Sequence, residues 1–355
     1  MNPNSSPSEP ADTVAIREGA AIGAISRRSQ IAVAGADRAT YLQGLLTNDI
    51  QGLKPGAGCY AAWLSANGRM LTDMHVLQSD SMILLDVPAE QAAPTIGRLD
   101  QFLFSEDVRL ESLDESMTSV WLHGPRAAAV LANVVSAFRR TSDVVTRTSD
   151  VVTRTSDVES GFSRIDSISW ADYQHGTATF EGTPVSVARI DQLGVPGFCV
   201  FLPRGAEERF TAAAVGHGAR VVSSDAINAA RIEAGYPVFG ADMTEDTIPL
   251  EAGIEERAIS FTKGCFVGQE VVIRVLHRGG GRVARRLVGL KLASPVSAGS
   301  KISSGGKDVG VITSAAISPT LGPIALGYVH RDFTAAGTNV EVDGHPASVT
   351  VLPMA

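Results

Sequence analysis

The residues best equipped for chemistry crowd into one stretch, Lys263-Gly264-Cys265-Phe266-Val267-Gly268-Gln269-Glu270, continuing as Val271-Val272-Ile273-Arg274-Val275-Leu276-His277-Arg278. A cation, a glycine and a thiol stand together, and a second glycine follows shortly after the thiol. Glycines so close let the backbone turn tightly and bring its N–H groups near a ligand, which makes Gly264 and Gly268 candidate binding positions. A thiol beside a lysine and such amides suits a reactive nucleophile, so Cys265 is a candidate catalytic group. Gln269 and Glu270 suit a helix start, where the dipole favours an anion. Arg274 and Arg278 then share a face. If 271–275 is instead a strand, Arg274 points away from Ile273 and Val275. Either way, six Lys/Arg and one Glu lie between Lys263 and Arg286 in a chain of net charge −8. That is a local anion site, and Gln269, Glu270, Arg274 and Arg278 join Lys263 as candidate ligand-binding residues. The competing reading is a glycine-rich turn between two domains, with Cys265 as a small hydrophobe.

Two further acids stand apart. Asp73 lies in the apolar run Met70 to Leu77, flanked by Leu71, Met74 and Val76. A lone acid in such a strand faces solvent in most proteins. Glu233 falls in the last turn of a helix expected over 226–234, where the dipole disfavours a negative charge by roughly 0.3–1 kcal/mol. An acid there is commonly just solvated, although one next to Gly235 could also be aimed at a ligand.

The elements that must position these groups are legible in outline. Ile31 to Ala34 reads as a strand, and Asp37 as the N-cap of a helix running to Leu46 with an apolar stripe of Tyr41, Leu42, Leu45 and Leu46. Cys59 to Leu64 and Met70 to Leu77 flank Ser65-Ala66-Asn67-Gly68-Arg69, and Asn-Gly between apolar runs is a strong hairpin signal. Ser81 to Val87 is another strand. Ala89 to Leu103 follows as a helix, weakened by Pro94 and Gly97. Ile165 to Phe180, Pro184 to Asp191 and Gly194 to Leu202 alternate like strands of one sheet. Ser224 or Asp225 caps the 226–234 helix, and Gly235 closes it. Short β runs at 287–292, 309–313, 324–329, 340–342 and 347–352 suggest a small antiparallel barrel beginning near Gly279-Gly280-Gly281. Between these regions, Arg-Thr-Ser-Asp-Val-Val-Thr occurs at 140–146 and 147–153, and a third copy starts at Arg154. Two adjacent apolar residues per unit cannot make a coiled-coil seam, and valine and threonine are poor helix formers. The 140–160 repeat therefore reads as a tandem expansion within an exposed loop.

Composition narrows the function classes. A chain of 355 residues has room for two or three domains, and 44% hydrophobic with 19% charged residues fits a soluble globular protein. No apolar run reaches the length of a membrane helix. Residues 1–13, rich in Pro, Ser and Asn, read as a disordered tail and not a signal peptide. The acidic balance argues against general nucleic-acid binding. Cys59, Cys199 and Cys265 are too few and too scattered for a disulfide framework, a structural zinc or a self-contained cluster, so any metal-related task would be shared with a partner. A cytoplasmic location is the expectation.

The Lys-Gly-Cys-Phe-x-Gly-Gln-Glu block with its following His277-Arg278-Gly279 resembles the signature of the YgfZ-type folate-binding proteins. These belong to the glycine-cleavage T-protein superfamily and are related to mitochondrial iron–sulfur assembly factors. Arg231-Ile-Glu-Ala-Gly235, Pro249-Leu-Glu-Ala-Gly253 and Asn67-Gly-Arg-Met-Leu-Thr-Asp-Met74 extend the resemblance from about Val14 to Pro353, without a counterpart for the repeat. It implies an α+β fold with a T-protein-like three-lobed arrangement around a central folate channel: a folate-binding region over 14–280 in two lobes, then an antiparallel β-barrel over 281–355. Tetrahydrofolate is the implied cofactor. Glu233 would bind the pteridine amino edge, catalytic Asp73 would lie near N5 and N10, and Lys263 would face the anionic glutamate tail. Thr72 replaces one acid of the T-protein's Asp-Asp pair. The implied function is a folate-binding accessory protein supporting assembly or repair of iron–sulfur clusters, and thereby tRNA modification. Its partners would be client enzymes or assembly factors and folate, possibly polyglutamylated, with no direct nucleic acid and no membrane. A folate-dependent aminomethyl- or methyltransferase, which needs a lipoylated carrier, is the second reading, and a binding scaffold without chemistry is a third.

Overall fold

The structure, a computed structural model, describes residues 10–140, 170–278 and 282–354. The repeat beyond Arg140 and the Gly279-Gly280-Gly281 boundary lie outside these residues. The described chain opens with helix α1 (Pro10–Arg17) and the short strand β1 (Ala21–Ile22). It then builds an antiparallel sheet from β2 (Arg28–Ala34), β3 (Gly58–Leu64), β4 (Met70–Gln78), β5 (Met82–Pro88) and β6 (Arg109–Ser112), ordered β3-β4-β5-β2-β6. Helices α2 (Arg38–Leu45) and α3 (Ala92–Asp100) cover one face, packing Leu42, Leu45 and Leu99 against Ile31, Val33, Met74 and Val76.

A second sheet joins β1 to β7 (Met117–His123), β8 (Ser136–Arg140), β9 (His175–Phe180), β10 (Thr183–Arg189), β11 (Gly197–Pro203) and β12 (Arg220–Val221). Its order is β12-β1-β7-β11-β10-β9-β8. Helices α4 (Ala127–Val134) and α5 (Glu207–Gly216) pack one of its faces through Leu131, Phe210 and Ala214. The other faces of the two sheets share one core cluster, with Tyr60, Ala62 and Leu64 from β3, Trp121 from β7, Ala188 from β10 and Phe201 from β11. Each large apolar side chain buried there contributes roughly 1.5–3 kcal/mol, so this layer fixes the spacing of the sheets. Helices α6 (Ser224–Glu233), α7 (Pro249–Ala252), α8 (Glu255–Ala258) and α9 (Gln269–Arg278) lead to the last domain. There β13 (Arg285–Leu292), β14 (Lys301–Ser304), β15 (Lys307–Ser318), β16 (Gly322–His330), β17 (Asn339–Val342) and β18 (His345–Thr350) close a six-stranded barrel.

Several local expectations shift. Residues 10–13 belong to α1, and Asp12 is buried, accepting from Arg220 Nε (2.8 Å) and the Ser223 N–H (2.9 Å). Asp37 precedes α2 but makes no side-chain cap; its carboxylate accepts from the Asp107 N–H instead. The cap of α6 is Ser223, one residue early, whose hydroxyl accepts from Ala226 N–H. Of the described part of the expected 165–180 strand, only 175–180 is β, because a turn occupies 172–173 and Tyr173 has φ 63°. Residues 165–169 lie outside the described ones. The segment after Gln269 is helical, which settles that alternative.

The hairpin turn and the start of α9 meet backbone to backbone. Gly68 (φ 72°) and Gly268 (φ 83°) both hold left-handed conformations, and a Cβ on Gly268 would fall 2.5 Å from the Ser65 carbonyl oxygen. Gly268→Ala should therefore destabilise the protein by more than about 1 kcal/mol, read as a lowered urea midpoint. A midpoint equal to that of the parent would mean this approach carries no constraint.

Candidate active site

Strand register places the site. Tyr60 on β3 stands opposite His75 on β4, His75 opposite Asp86 on β5, and Asp86 opposite Gln30 on β2. Residues directly opposite share a face, so these four form one polar row across the inner face of the first sheet. Asp73 and Arg28 are each two residues along from members of that row and lie on the same face.

Asp86 is the hub of the row and fully buried. Its Oδ2 accepts from Arg28 Nε (2.7 Å) and lies 2.8 Å from His75 Nδ1, while Oδ1 accepts from Gln30 Nε2 (2.9 Å). Burial alone would raise the Asp86 carboxyl, but Arg28, His75 and Gln30 together hold it below the usual carboxylate range. Burial and the Arg28 charge push His75 below its ordinary value, so the ring is neutral at pH 7. A carboxylate can only accept, so His75 Nδ1 carries the proton and Nε2 faces the Tyr236 hydroxyl at 3.5 Å. Burial opposes the Arg28 charge, yet Asp86 and Asp73 keep its pKa above the ordinary arginine value.

Asp73 is only 3% exposed. The Tyr60 hydroxyl donates to its Oδ2 (2.6 Å). Its Oδ1 has no hydrogen-bond partner; Arg28 Nη1 stands at an ion-pair distance of 3.5 Å. The strand-facing-solvent reading of Asp73 is thus corrected, because the second sheet covers this face. Arg257 on α8 completes the cluster, its guanidinium 4.1 Å from the Tyr236 ring centroid and 4.8 Å from that of Tyr60, a cation held between two aromatic faces. Thr47 and Asn48 pin α8 to β3. The Thr47 hydroxyl donates to the Ala258 carbonyl (2.6 Å) and accepts from the Ala62 N–H (2.9 Å), and the Asn48 amide donates to the carbonyls of Tyr60 and Arg257. Trp121 and Tyr173 close over His75 at ring distances of 6.0 and 5.9 Å. Burial lifts the phenols of Tyr60, Tyr173 and Tyr236 above their ordinary value, so they remain protonated donors.

The residues of the 263–278 stretch serve other positions. Lys263 Nζ donates to the carbonyls of Gln43, Leu46 and Asn48 at 2.6, 2.6 and 3.0 Å, closing the C-terminal end of α2. Burial lowers its pKa to about 8. Gly264 and Cys265 are exposed, Gln269 is half-buried, and Glu270 pairs with Arg274 across one turn of α9 on the surface. The Arg278 side chain lies outside the described ones. Glu233 is neither solvated nor free: Arg17 of α1 pairs with it and also donates to the Leu193 carbonyl. Asp73 is the one predicted site residue inside the cluster. Arg28, Tyr60, His75, Asp86, Tyr236 and Arg257 were not singled out from the sequence. The available signal was His75, a titratable residue two positions from Asp73 and so on the same face of a largely apolar strand. A cavity of about 910 Å³ lies elsewhere, between the barrel and the hairpin turn, where Arg69 and Arg285 are already paired with Asp246 and Glu251.

Similarity to known proteins follows this architecture. The GCVT N-terminal domain family matches residues 4–156, and the glycine cleavage T-protein C-terminal barrel domain family matches residues 285–354, together more than half of the chain. The chain belongs to the T-protein superfamily. The Lys263–Glu270 block lies between the two matched stretches. An aminomethyltransferase of Thermosynechococcus vestitus is 27% identical over 92% of this chain and 81% of its own length. One from Streptomyces coelicolor is 27% identical over 98% and 89%. The crystal structure of glycine cleavage system aminomethyltransferase T from Bartonella henselae superposes with a TM-score of 0.78 at 24% identity, covering 97% of this chain and 88% of that one. The T-protein fold is thereby shared.

Two predictions come from these buried groups. His123, stacked on Trp121 and donating from Nε2 to the Gly23 carbonyl, is pushed down to about 4 by burial. The unfolded chain takes up a proton there below about 6.5 while the folded one does not, so this contribution is intact above pH 6.5 and shrinks as pH falls toward 4. Urea denaturation should show roughly 3 kcal/mol less stability from this source across that window, and His123→Gln should flatten the slope. Lowered His75 adds to the same trend, and lowered Asp86 acts further down, its stability present above about 3.9 and lost as pH falls through its folded value. A His123→Gln profile with undiminished slope would locate the proton uptake elsewhere. Lys263→Ala should cost about 1.5–3 kcal/mol, as expected on losing a charged donor to buried carbonyls, without altering any preference for polyglutamylated ligands. A lost tail preference at unchanged stability would restore the tail-binding role.

Proposed function

We propose that this chain binds a reduced folate at the Asp73 cluster and carries out folate-dependent one-carbon transfer of the aminomethyltransferase type. The observation that supports it most is the buried Asp73 oxygen that lacks a hydrogen-bond partner, in a cluster with Arg28, Arg257 and three tyrosines. A buried carboxylate oxygen without a hydrogen bond is costly, and a ligand N–H would satisfy it. The donor set fits a reduced folate, whose pterin offers ring N–H groups and a planar face for tyrosine and arginine. When bound, tetrahydrofolate supplies the nitrogens that carry the one-carbon unit. Tyr60 orients the Asp73 carboxylate, Arg28 and Asp86 hold that pair in place, and neutral His75 with Tyr236 keeps water from the inner wall. Glu233 could reach a ligand only by exchanging its Arg17 partner.

The accessory reading, support of iron–sulfur cluster assembly, has one observation in its favour. Cys265 is exposed within a structurally fixed Lys263–Glu270 segment, where a client could reach it. The names of the relatives favour transfer. The deciding measurement is aminomethyl transfer with a lipoylated carrier, run beside tetrahydrofolate titration. Asp73→Asn should keep the folded state and lower transfer at least a hundredfold, as is usual on losing a group that acts on the reacting centre. Folate binding by the parent protein without any transfer, together with low iron–sulfur enzyme activities in a deletion strain, would favour the accessory reading instead.

A further inference from the structure

Two buried polar atoms in the cluster lack hydrogen-bond partners, and they are opposite in sense: the acceptor Asp73 Oδ1 and the donor Arg257 Nη2. Both side chains are organised by Tyr60, whose hydroxyl donates to Asp73 and whose ring face takes the Arg257 guanidinium. The other cations near this region are engaged. Arg28 is hydrogen-bonded to Asp86 and reaches Asp73 Oδ1 only at an ion-pair distance of 3.5 Å, and Lys263 is engaged by the end of α2. What remains for a ligand is one acceptor and one donor around a single tyrosine. Their natural complement is a group with a donor and an acceptor side by side.

A tetrahydropterin has this pattern where N5–H stands beside the C4 carbonyl. A fully oxidised pterin does not, because its N5 bears a lone pair that would confront the carboxylate. We propose that Arg257 is the specificity-determining cation of this site, donating to the C4 oxygen of the pterin while Asp73 accepts from N5–H. The assignment rests on the folate reading given above. It adds that the site selects the 4-oxo group and the reduced ring. The guanidinium suits the task better than an ammonium, because it lies between the Tyr60 and Tyr236 rings and its planar fork holds its N–H donors in fixed directions relative to one another.

The test uses the full chain and three probes: tetrahydrofolate, its 4-amino-4-deoxy analogue and folic acid, titrated by calorimetry under anaerobic conditions. The parent protein should prefer tetrahydrofolate to each of the others by on the order of tenfold or more, the size of effect expected when a buried donor loses its acceptor. Arg257→Met should weaken tetrahydrofolate by on the order of ten- to a hundredfold and leave the 4-amino analogue nearly unchanged, so that this preference disappears. Arg257→Lys should recover part of it, and urea midpoints establish that each variant is folded. A 4-oxo preference that persists in Arg257→Met overturns the assignment, as does a parent protein that binds both reduced forms equally. A parent protein that binds none of the three overturns the folate reading itself.

Discussion

The Arg28–Asp86 ion pair is the contact on which the interior between the two sheets depends. Both side chains are at most 7% exposed, and Asp86 sits where three strands contribute to one row. A buried pair of this kind adds little net stability when intact, but removing one partner leaves a stranded charge worth about 3–5 kcal/mol. Four hydrogen bonds to Asp86 and its carbonyl discharge that liability. Because Arg28 is committed there, it approaches Asp73 only at ion-pair distance, and because His75 is committed there, its tautomer is fixed. That Asp73 Oδ1 is left without a hydrogen bond is a consequence of what its neighbours have already been used for.

The Lys263–Glu270 stretch acts on this interior from outside. Lys263 closes α2, Gly268 allows α9 to touch the hairpin turn, and Val271 packs on Gly68 at the other side of that contact. The hairpin leads directly into β4 and Asp73. Residues that look like ligands in a linear reading thus work as geometry, holding the strand that bears the acid. The same segment carries α8 immediately upstream, so Arg257 and Asp73 are positioned by one continuous set of contacts through Thr47 and Asn48.

How much of this could be read in advance differs by level. The hairpin, the α2 helix and the barrel were legible because turn chemistry and periodicity are local signals, although β14 escaped, its Ile302 being flanked by serines and lysine. The site was legible only at Asp73. Tyr60 and Asp86 join it through the register of the neighbouring strands β3 and β5, and Gln30 through that of β2, which is distant in sequence; register is a property of pairing, not of any one segment. Arg257 was invisible for a different reason. Within Glu255-Glu256-Arg257 it reads as a solvated charge, and only the fold shows that two tyrosines enclose it. The ion pair of Glu233 was equally hidden, since its partner Arg17 lies in a segment adjoining what composition marks as a tail.

The position before Asp73 bears on which chemistry the fold retains. Relative to the acid pair that the resemblance leads one to expect, Thr72 is a departure, and it could be taken as loss of half the catalytic apparatus. Strand geometry argues otherwise. Residues 72 and 73 point to opposite faces, and Thr72 pairs with Trp63 on the side covered by α2 and α3. It is 1% exposed, and its hydroxyl donates to the Asp73 carbonyl at 3.2 Å. An aspartate at 72 would be a buried charge facing the helix-covered core, remote from the polar row. Threonine removes that charge and keeps a backbone hydrogen bond. The face that carries the polar row presents Asp73 in either case, so Thr72 by itself gives no ground for excluding the proposed chemistry.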